Sequence, residues 1–145
     1  MSLSPVEVAY HELSAYTLTH GDPAFLHQHV VDAFAAQSAN AESKRIGVAF
    51  ALFGLCLHVE FGFTGREVQL AHMALARARR EWPAYSLPAS RGAMTPLEVM
   101  ATPEGPMRDA AIHEWCRTVW EAVSTCRAEV LRDLRIHGIL PSSEA

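Results

Sequence analysis

Histidine and carboxylate side chains are the residues of this sequence whose type and number could support chemistry. The chain has eight histidines, and six of them precede residue 73. Neutral imidazole nitrogens and carboxylate oxygens are ligands for zinc, nickel and iron, and helical bundles build metal sites from such side chains on facing helices. Whether a site forms depends on which of these side chains point inward.

Two histidines fall on the apolar stripes of predicted helices. The stripe of His27 includes Val30 and Phe34, and the stripe of His72 includes Leu75. An imidazole without a partner among apolar neighbours costs free energy, so each of these side chains needs a hydrogen bond or a ligand. Two inward histidines on different helices can meet.

Carboxylates stand where they could complete such a site. Glu60 follows His58 at the end of an otherwise apolar helical run. His29 and Asp32 are three residues apart, a spacing that lets a carboxylate orient an imidazole on the same helix. The predicted ligands of a divalent metal ion (zinc, nickel or iron) are His27, Glu60, His72, and His11 or His58. The predicted supports that would orient these ligands are Asp32, His29, Gln37 and Gln69.

Motifs of well-defined enzyme classes are missing from the sequence. It contains no HEXXH zinc-protease signature and no paired Glu-x-x-His motif of di-iron bundles. It also lacks GxSxG, the P-loop and GxGxxG. No catalytic residue is therefore assigned, and whether the protein is an enzyme stays open.

Composition and charge limit the classes of partner. Of 145 residues, 50% are hydrophobic and 19% are charged, and the formal net charge is -4. Without a block of basic residues, binding to nucleic acid or to an anionic membrane is not expected. The most apolar stretch, residues 46–59, is too short to span a bilayer, and no secretory signal is recognised. We expect a cytoplasmic protein whose three cysteines are reduced.

Helix-capping signals predict the elements that would position these side chains. Ser4-Pro5-Val6-Glu7, Thr64-Gly65-Arg66-Glu67 and Thr95-Pro96-Leu97-Glu98 each have the capping-box pattern. Residues 46–59 are apolar on every side, which predicts a buried central helix, with a buried strand pair as the alternative. The predicted fold is an all-α bundle of five to six helices. It forms one domain over residues 1–145, with residues 1–4 and 139–145 frayed, and residues 83–94 form a loop that could act as a lid.

A family resemblance adds to this interpretation. The segments Tyr10-His11-Glu12-Leu13, Phe25-Leu26-His27-Gln28-His29-Val30-Val31-Asp32-Ala33 and Thr64-Gly65-Arg66-Glu67-Val68-Gln69, with His72-Met73 after the last, resemble an uncharacterised family of small bacterial all-helical proteins. The similarity covers most of the chain and carries no assigned activity. The polar positions that resemble the family's signature are His27, Asp32, Gln37, Glu60, Gln69 and His72. The resemblance thus implies a shared buried polar site.

Two classes of function follow from the sequence. In the first, the site binds a divalent metal ion and uses it for Lewis-acid or metal-water chemistry on a small molecule. In the second, a hydrogen-bonded network specifies the bundle or holds a small polar ligand in a non-enzymatic binding or interaction module; its members are His27, Asp32, Gln37, Gln69 and His72. A homodimer with the site near its interface is a further alternative.

Overall fold

The chain folds as a set of helices connected by short turns and one longer loop. The structure is a computed structural model, and it describes residues 2–78 and 81–142. Its helices are α1 (Pro5–Thr19), α2 (His27–Ser38), α3 (Arg45–Phe61), α4 (Gly65–Ala78), α5 (Pro96–Ala101), α6 (Pro106–Ala122) and α7 (Arg127–Ile136). No strand occurs among the described residues, so the all-α prediction is confirmed and the strand alternative for residues 46–59 is wrong.

Reciprocal capping boxes begin α1, α4 and α5, as the sequence predicts. In α1, the backbone N–H of Ser4 donates to Glu7 Oε1 at 3.0 Å, and the backbone N–H of Glu7 donates to Ser4 Oγ at 3.2 Å. Thr64 and Glu67 make the same exchange before α4. Each box satisfies backbone donors that a helix start leaves without partners.

The α2–α3 hairpin forms the centre of the bundle. Residues 51–57 of α3 are all buried, which confirms the predicted central helix. The second helix of the hairpin, α2, contacts α1, α3, α4 and α6. Because α2 is enclosed on several sides, it buries polar as well as apolar positions.

The inward face of α2 differs from the predicted one. His29 and Asp32 are each only 3% exposed, whereas His27 is half-buried. Apolar periodicity points to the face of His27, because it counts hydrophobic residues and gives no weight to a buried imidazole or carboxyl. His29 is therefore the inward histidine of this helix.

The helical segment that begins at Pro106 is divided in two. A 3₁₀ turn over Ser124–Cys126 separates α6 from α7, so the described residues contain seven α-helices instead of five to six. The break lets α7 fold back against α3. The apolar pattern continues through the turn, because Val123 and Cys126 are also buried, and periodicity alone therefore does not reveal it.

The end of the chain is more closely packed than expected. Leu140 is 5% exposed, and the N–H groups of Ile139 and Leu140 donate to the Leu134 carbonyl at 2.9 and 3.2 Å. Of the stretch predicted to fray, residues 139–145, Ile139 and Leu140 pack against the end of α7 in this way, and residues 143–145 lie outside the described part. Within the described ranges, no helix is long and apolar enough to cross a membrane. Cys56, Cys116 and Cys126 are buried free thiols.

Candidate functional site

Three histidines from three helices meet at one end of the α2–α3 hairpin. His29 lies near the start of α2, His58 near the end of α3, and His113 on α6. His58 Nε2 and His113 Nδ1 are 2.9 Å apart. The ring of His29 stacks on that of His58 with centroids 3.5 Å apart and planes 18° from parallel. Antiparallel packing of α2 and α3 brings these positions together.

A cavity opens beside the three rings, and we call it the histidine pocket. Its volume is about 380 Å³, within the size range of small-molecule sites. The three histidines line it together with Asp22, Ala24, Leu26, Gly62, Phe63, Thr64 and Asp109. Two carboxylates therefore face the same space as three imidazoles.

The turn after α3 fixes the protonated nitrogen of His58. Gly62 has φ of 71°, a left-handed conformation that favours glycine, and this reverses the chain so that the Phe63 carbonyl lies 3.0 Å from His58 Nδ1. A carbonyl only accepts, so Nδ1 carries the proton and donates it. His58 Nε2 therefore presents a lone pair towards His113.

The two carboxylates of the pocket differ in whether they have an oxygen that can still accept a hydrogen bond or bind a ligand. Both oxygens of Asp22 accept backbone N–H groups, from Ala24 at 2.9 Å and Leu26 at 2.8 Å. Asp109 Oδ1 accepts the Tyr16 hydroxyl at 2.9 Å, and Oδ2 accepts no hydrogen bond from the described residues. Asp109 is thus oriented by Tyr16 and has an oxygen left for a ligand.

The pocket favours neutral imidazoles. Burial lowers the pKa of His29 to about 3, with further lowering by His58 and His113. Burial also lowers the pKa of His58 and of His113, against a smaller opposing effect of the Asp109 and Asp22 charges on His113. Neutral imidazole is the form that binds a metal ion.

A buried carboxyl group lies one helical turn deeper. Asp32 packs against Gly54 so closely that a Cβ at Gly54 would lie 1.9 Å from Asp32 Oδ2. Gln28 Nε2 donates to Asp32 Oδ1 at 3.1 Å, while Oδ2 has no hydrogen-bond partner among the described residues. Burial raises the pKa of Asp32 well above its usual value. Among the described residues, no hydrogen bond joins Asp32 to an imidazole.

The predicted ligands His27 and His72 are hydrogen-bonded in separate places. His27 Nδ1 lies 2.9 Å from Thr17 Oγ1, and His72 Nε2 donates to the Phe50 carbonyl at 2.8 Å. His72 also stacks on the Phe50 ring. Both imidazoles therefore have a hydrogen-bond partner within the chain.

The predicted ligands Glu60 and His11 also lie apart from the histidine pocket. Glu60 accepts the Trp120 indole N–H at 2.7 Å, and it accepts hydrogen bonds from Nε and Nη2 of Arg127, each at 2.7 Å. His11 is exposed beside the Tyr10 ring. Of the predicted ligand set, only His58 reaches the pocket, where the predicted support His29 joins it.

The two glutamines marked by the resemblance have different surroundings. Gln37 Nε2 donates to the Met94 carbonyl at 2.7 Å, and Gln37 Oε1 accepts the Trp115 indole N–H at 3.1 Å. Gln69 pairs with Arg66 on the surface of α4. Gln37 therefore attaches the loop over residues 83–94 to the far end of α2, about 12 Å along the helix from His29. The loop does not cover the histidine pocket.

His113 and Asp109 were not singled out from the sequence, although a signal was present. They are four residues apart on α6, so they share one helix face, as His29 and Asp32 do on α2. Within residues 2–78 and 81–142, no group of three or more His, Cys, Asp or Glu side chains is arranged to hold a metal ion. The geometry offers two facing nitrogens with an acid nearby.

Comparison with known proteins identifies a family. The model of a family of unknown function, DUF5946, matches residues 7–124, and this range contains every residue of the histidine pocket. No curated protein and no solved structure matches the chain significantly.

Proposed function

We propose that this chain, which belongs to the DUF5946 family of unknown function, binds a divalent transition-metal ion in the histidine pocket. The observation that carries the proposal is the 2.9 Å distance between His58 Nε2 and His113 Nδ1. Two nitrogens that bind one metal ion at about 2.1 Å lie roughly 3 Å apart when the bonds are near perpendicular, as in octahedral or square-planar sites, and about 3.4 Å apart in the tetrahedral geometry of zinc. The two rings therefore stand at a spacing that suits adjacent ligands.

The surroundings of His58 support this role. Histidines that bind metals generally donate their second ring N–H to a carbonyl or carboxylate, and His58 Nδ1 donates to the Phe63 carbonyl. That bond fixes both the tautomer and the ring orientation. It leaves Nε2 to bind a cation.

Asp109 is the proposed third ligand. It lies one helical turn before His113, and Tyr16 holds one of its oxygens while the other accepts no hydrogen bond from the described residues. Because no three ligands are already in place in the described chain, binding requires the Asp109 side chain to rotate towards the two imidazoles. His29, stacked on His58, is the alternative third ligand.

The proposed chemistry is that of an open metal site. Three protein ligands leave coordination positions for water or a substrate, and the cavity gives room for a small molecule there. A metal ion bound in this way supplies Lewis-acid activation or a metal-bound water. Zinc, nickel and iron all accept two imidazoles and a carboxylate.

The second candidate function is a non-enzymatic module that binds a small polar ligand. The structural part of this alternative, a hydrogen-bonded network that specifies the bundle, is supported by the hydrogen bonds of Gln37, Glu60 and His72 within the fold. The contact between His58 and His113 is also satisfied as an ordinary hydrogen bond if His113 Nδ1 carries its proton. In this alternative, the three neutral imidazoles recognise donors and acceptors of an organic ligand.

Metal analysis of untagged protein tests the proposal. Wild type, His113→Ala and the exposed matched control His11→Ala are purified without chelator, and metal content is measured before and after titration with Zn²⁺, Ni²⁺ and Fe²⁺. We expect near-stoichiometric metal in wild type and in His11→Ala, and loss of it in His113→Ala. Asp109→Asn should weaken binding, because an amide is a poorer ligand than a carboxylate.

Two results would contradict the metal proposal. One is equal metal binding by wild type and His113→Ala. The other is no uptake by wild type at any metal concentration that leaves it folded, which would favour the small-ligand module. His72→Ala tests the ligand set suggested by the sequence, and we expect it to retain metal because His72 is bonded to the Phe50 carbonyl.

A further inference from the structure

We propose that a second cavity binds a small molecule that carries a carboxylate or phosphate group. It lies where α2 ends and α3 begins, about 20 Å along α3 from His58. We call it the arginine pocket, and its lining residues include Arg45, Arg91, Asn40, Ser43, Val48 and Leu87. The proposal does not depend on metal binding in the histidine pocket.

The size and lining of the arginine pocket suit an organic anion. Its volume is about 370 Å³, which is enough for a small organic molecule. Val48, Leu87 and three alanines give it apolar walls, while Asn40 and Ser43 add polar groups at the rim. The ligand class is therefore an anionic group attached to a compact apolar body.

The charge of the arginine pocket is opposite in sign to that of the whole chain. Both charged side chains of its lining are arginines, although the chain has a formal net charge of -4. Among the described residues, neither Arg45 nor Arg91 forms an ion pair with a carboxylate. Arginine binds carboxylate and phosphate through paired N–H donors, so two arginines at one cavity favour an anion.

Backbone contacts hold Arg91 in position without neutralising its charge. Its Nε donates to the Pro88 carbonyl at 2.9 Å, and its Nη1 donates to carbonyls of Ala36, Gln37 and Ala39 at the end of α2. Its Nη2 donates to no acceptor in the described part of the chain. The guanidinium is therefore fixed in orientation and retains donors for a ligand.

The loop that forms one wall of the arginine pocket is anchored at several points. Gln37 binds the Met94 carbonyl, and the hydroxyl of Tyr85 donates to the buried carboxylate of Asp133. Cys126 Sγ also donates to the Ser86 carbonyl at 3.4 Å. These contacts organise the cavity before a ligand arrives, which reduces the entropy lost on binding.

Titration of the ¹⁵N-labelled full chain with phenyl phosphate, benzoate and the neutral analogue benzamide tests the proposal. We expect saturable shifts of the Arg45 and Arg91 side-chain N–H signals with at least one anion and none with benzamide. The comparison of phenyl phosphate with benzoate shows whether the anionic group that the cavity binds is a phosphate or a carboxylate. Binding should weaken about tenfold in Arg45→Gln, the loss of one charge-assisted contact.

Two further variants make the result specific to the cavity. Ala84→Glu places a negative charge at the pocket lining, where Ala84 is exposed, and should abolish anion binding while the protein stays folded. Arg66→Gln removes the same charge at the opposite end of the bundle and should leave binding unchanged. The proposal would be overturned if neither phenyl phosphate nor benzoate bound saturably. Equal weakening in Arg45→Gln and Arg66→Gln would do the same, since that would indicate general charge attraction.

Discussion

His29 is a buried imidazole whose environment opposes its protonation. It is 3% exposed, it stacks on His58, and a third imidazole, that of His113, lies 6.0 Å away between centroids. A proton on His29 would place a charge in this crowded space. Its folded pKa of about 3 lies below the ordinary value of 6.5 because burial penalises the charged form.

The depressed pKa of His29 predicts a pH-dependent stability. Between pH 6.5 and about 3 the unfolded chain takes up a proton at His29 that the folded chain does not, so the free energy of unfolding falls as pH falls through this range. We expect wild type to lose about 2 kcal/mol more than His29→Gln between pH 7 and pH 5. Urea unfolding at the two pH values measures the difference.

The matched control for this prediction is His11→Gln. His11 is exposed, and its replacement should leave the pH dependence of wild type unchanged. If His29→Gln loses as much stability as wild type on acidification, another group is responsible for the effect.

At the scale of elements, α3 contains two glycines that differ in the space available for a side chain. A Cβ at Gly54 would meet Asp32 and Val68 at 1.9 and 3.2 Å, whereas a Cβ at Gly47 would meet nothing within 4 Å. The close approach at Gly54 is what allows a buried carboxyl group between α2 and α3. Alanine therefore overpacks the interface at position 54 and only improves helix propensity at position 47.

This contrast predicts opposite effects of one substitution in one helix. Gly54→Ala should lower the free energy of unfolding by about 2 kcal/mol, the usual cost of overpacking a core. Gly47→Ala should raise it by about 0.5 kcal/mol. Urea denaturation of both variants provides the measurement, and a stabilised Gly54→Ala would mean that Asp32 does not occupy this space.

Glu60 connects three elements, because it lies on α3 and accepts bonds from α6 and from the first residue of α7. Glu60→Ala should cost about 1–3 kcal/mol of stability, since the buried Trp120 indole N–H loses its acceptor. The same variant should bind metal as wild type does. Thermal melting measures the loss of stability, and calorimetric titration measures metal binding. A Glu60→Ala variant that lost metal binding without losing stability would identify Glu60 as a ligand.

At the scale of the whole molecule, the α2–α3 hairpin has a pocket of different character at each end. Imidazoles and carboxylates line the end near His29, which suits a cation, and arginines line the end near Arg45, which suits an anion. Between the two pockets, the buried side chains of α2 and α3 are mainly small and aliphatic, and Asp32 is the buried carboxyl group among them. We expect the two sites to bind their ligands independently.

Metal binding at the histidine pocket should stabilise the whole fold. A ligand at 100 times its dissociation constant adds about 2.7 kcal/mol to the free energy of unfolding. For a chain of this length, that corresponds to a rise in Tm of roughly 5–10 °C. Scanning calorimetry with metal and then with EDTA measures the rise and its reversal; an unchanged Tm in wild type, or an equal rise in His113→Ala, would contradict a specific site.

Two predictions concern the whole molecule: the chain forms a single domain, and it could form a homodimer. Apolar side chains such as Leu70 and Met73 are exposed on the same helix, α4, and Phe61 is exposed at the end of α3. A mass measurement in solution would distinguish a monomer from a dimer.

Helix formation and the central helix could be predicted from the sequence, because their causes are local. The capping boxes at Ser4 and Thr64 bind backbone groups within three residues, and the unbroken apolar run in α3 leaves burial as its stable arrangement. The presence of histidines and carboxylates in a polar site could also be anticipated from composition. These inferences required no knowledge of how the helices pack.

The grouping of the site residues was decided by tertiary structure. Helical periodicity ranks positions by apolar neighbours, so it favoured His27 and His72, which Thr17 and the Phe50 carbonyl satisfy within the fold. It gave no reason to join His58 on α3 with His113 on α6, which are 55 residues apart and meet because α3 and α6 pack side by side. Side-chain chemistry is present in the sequence, but the distances between side chains depend on how helices cross, and many long-range contacts together determine that packing.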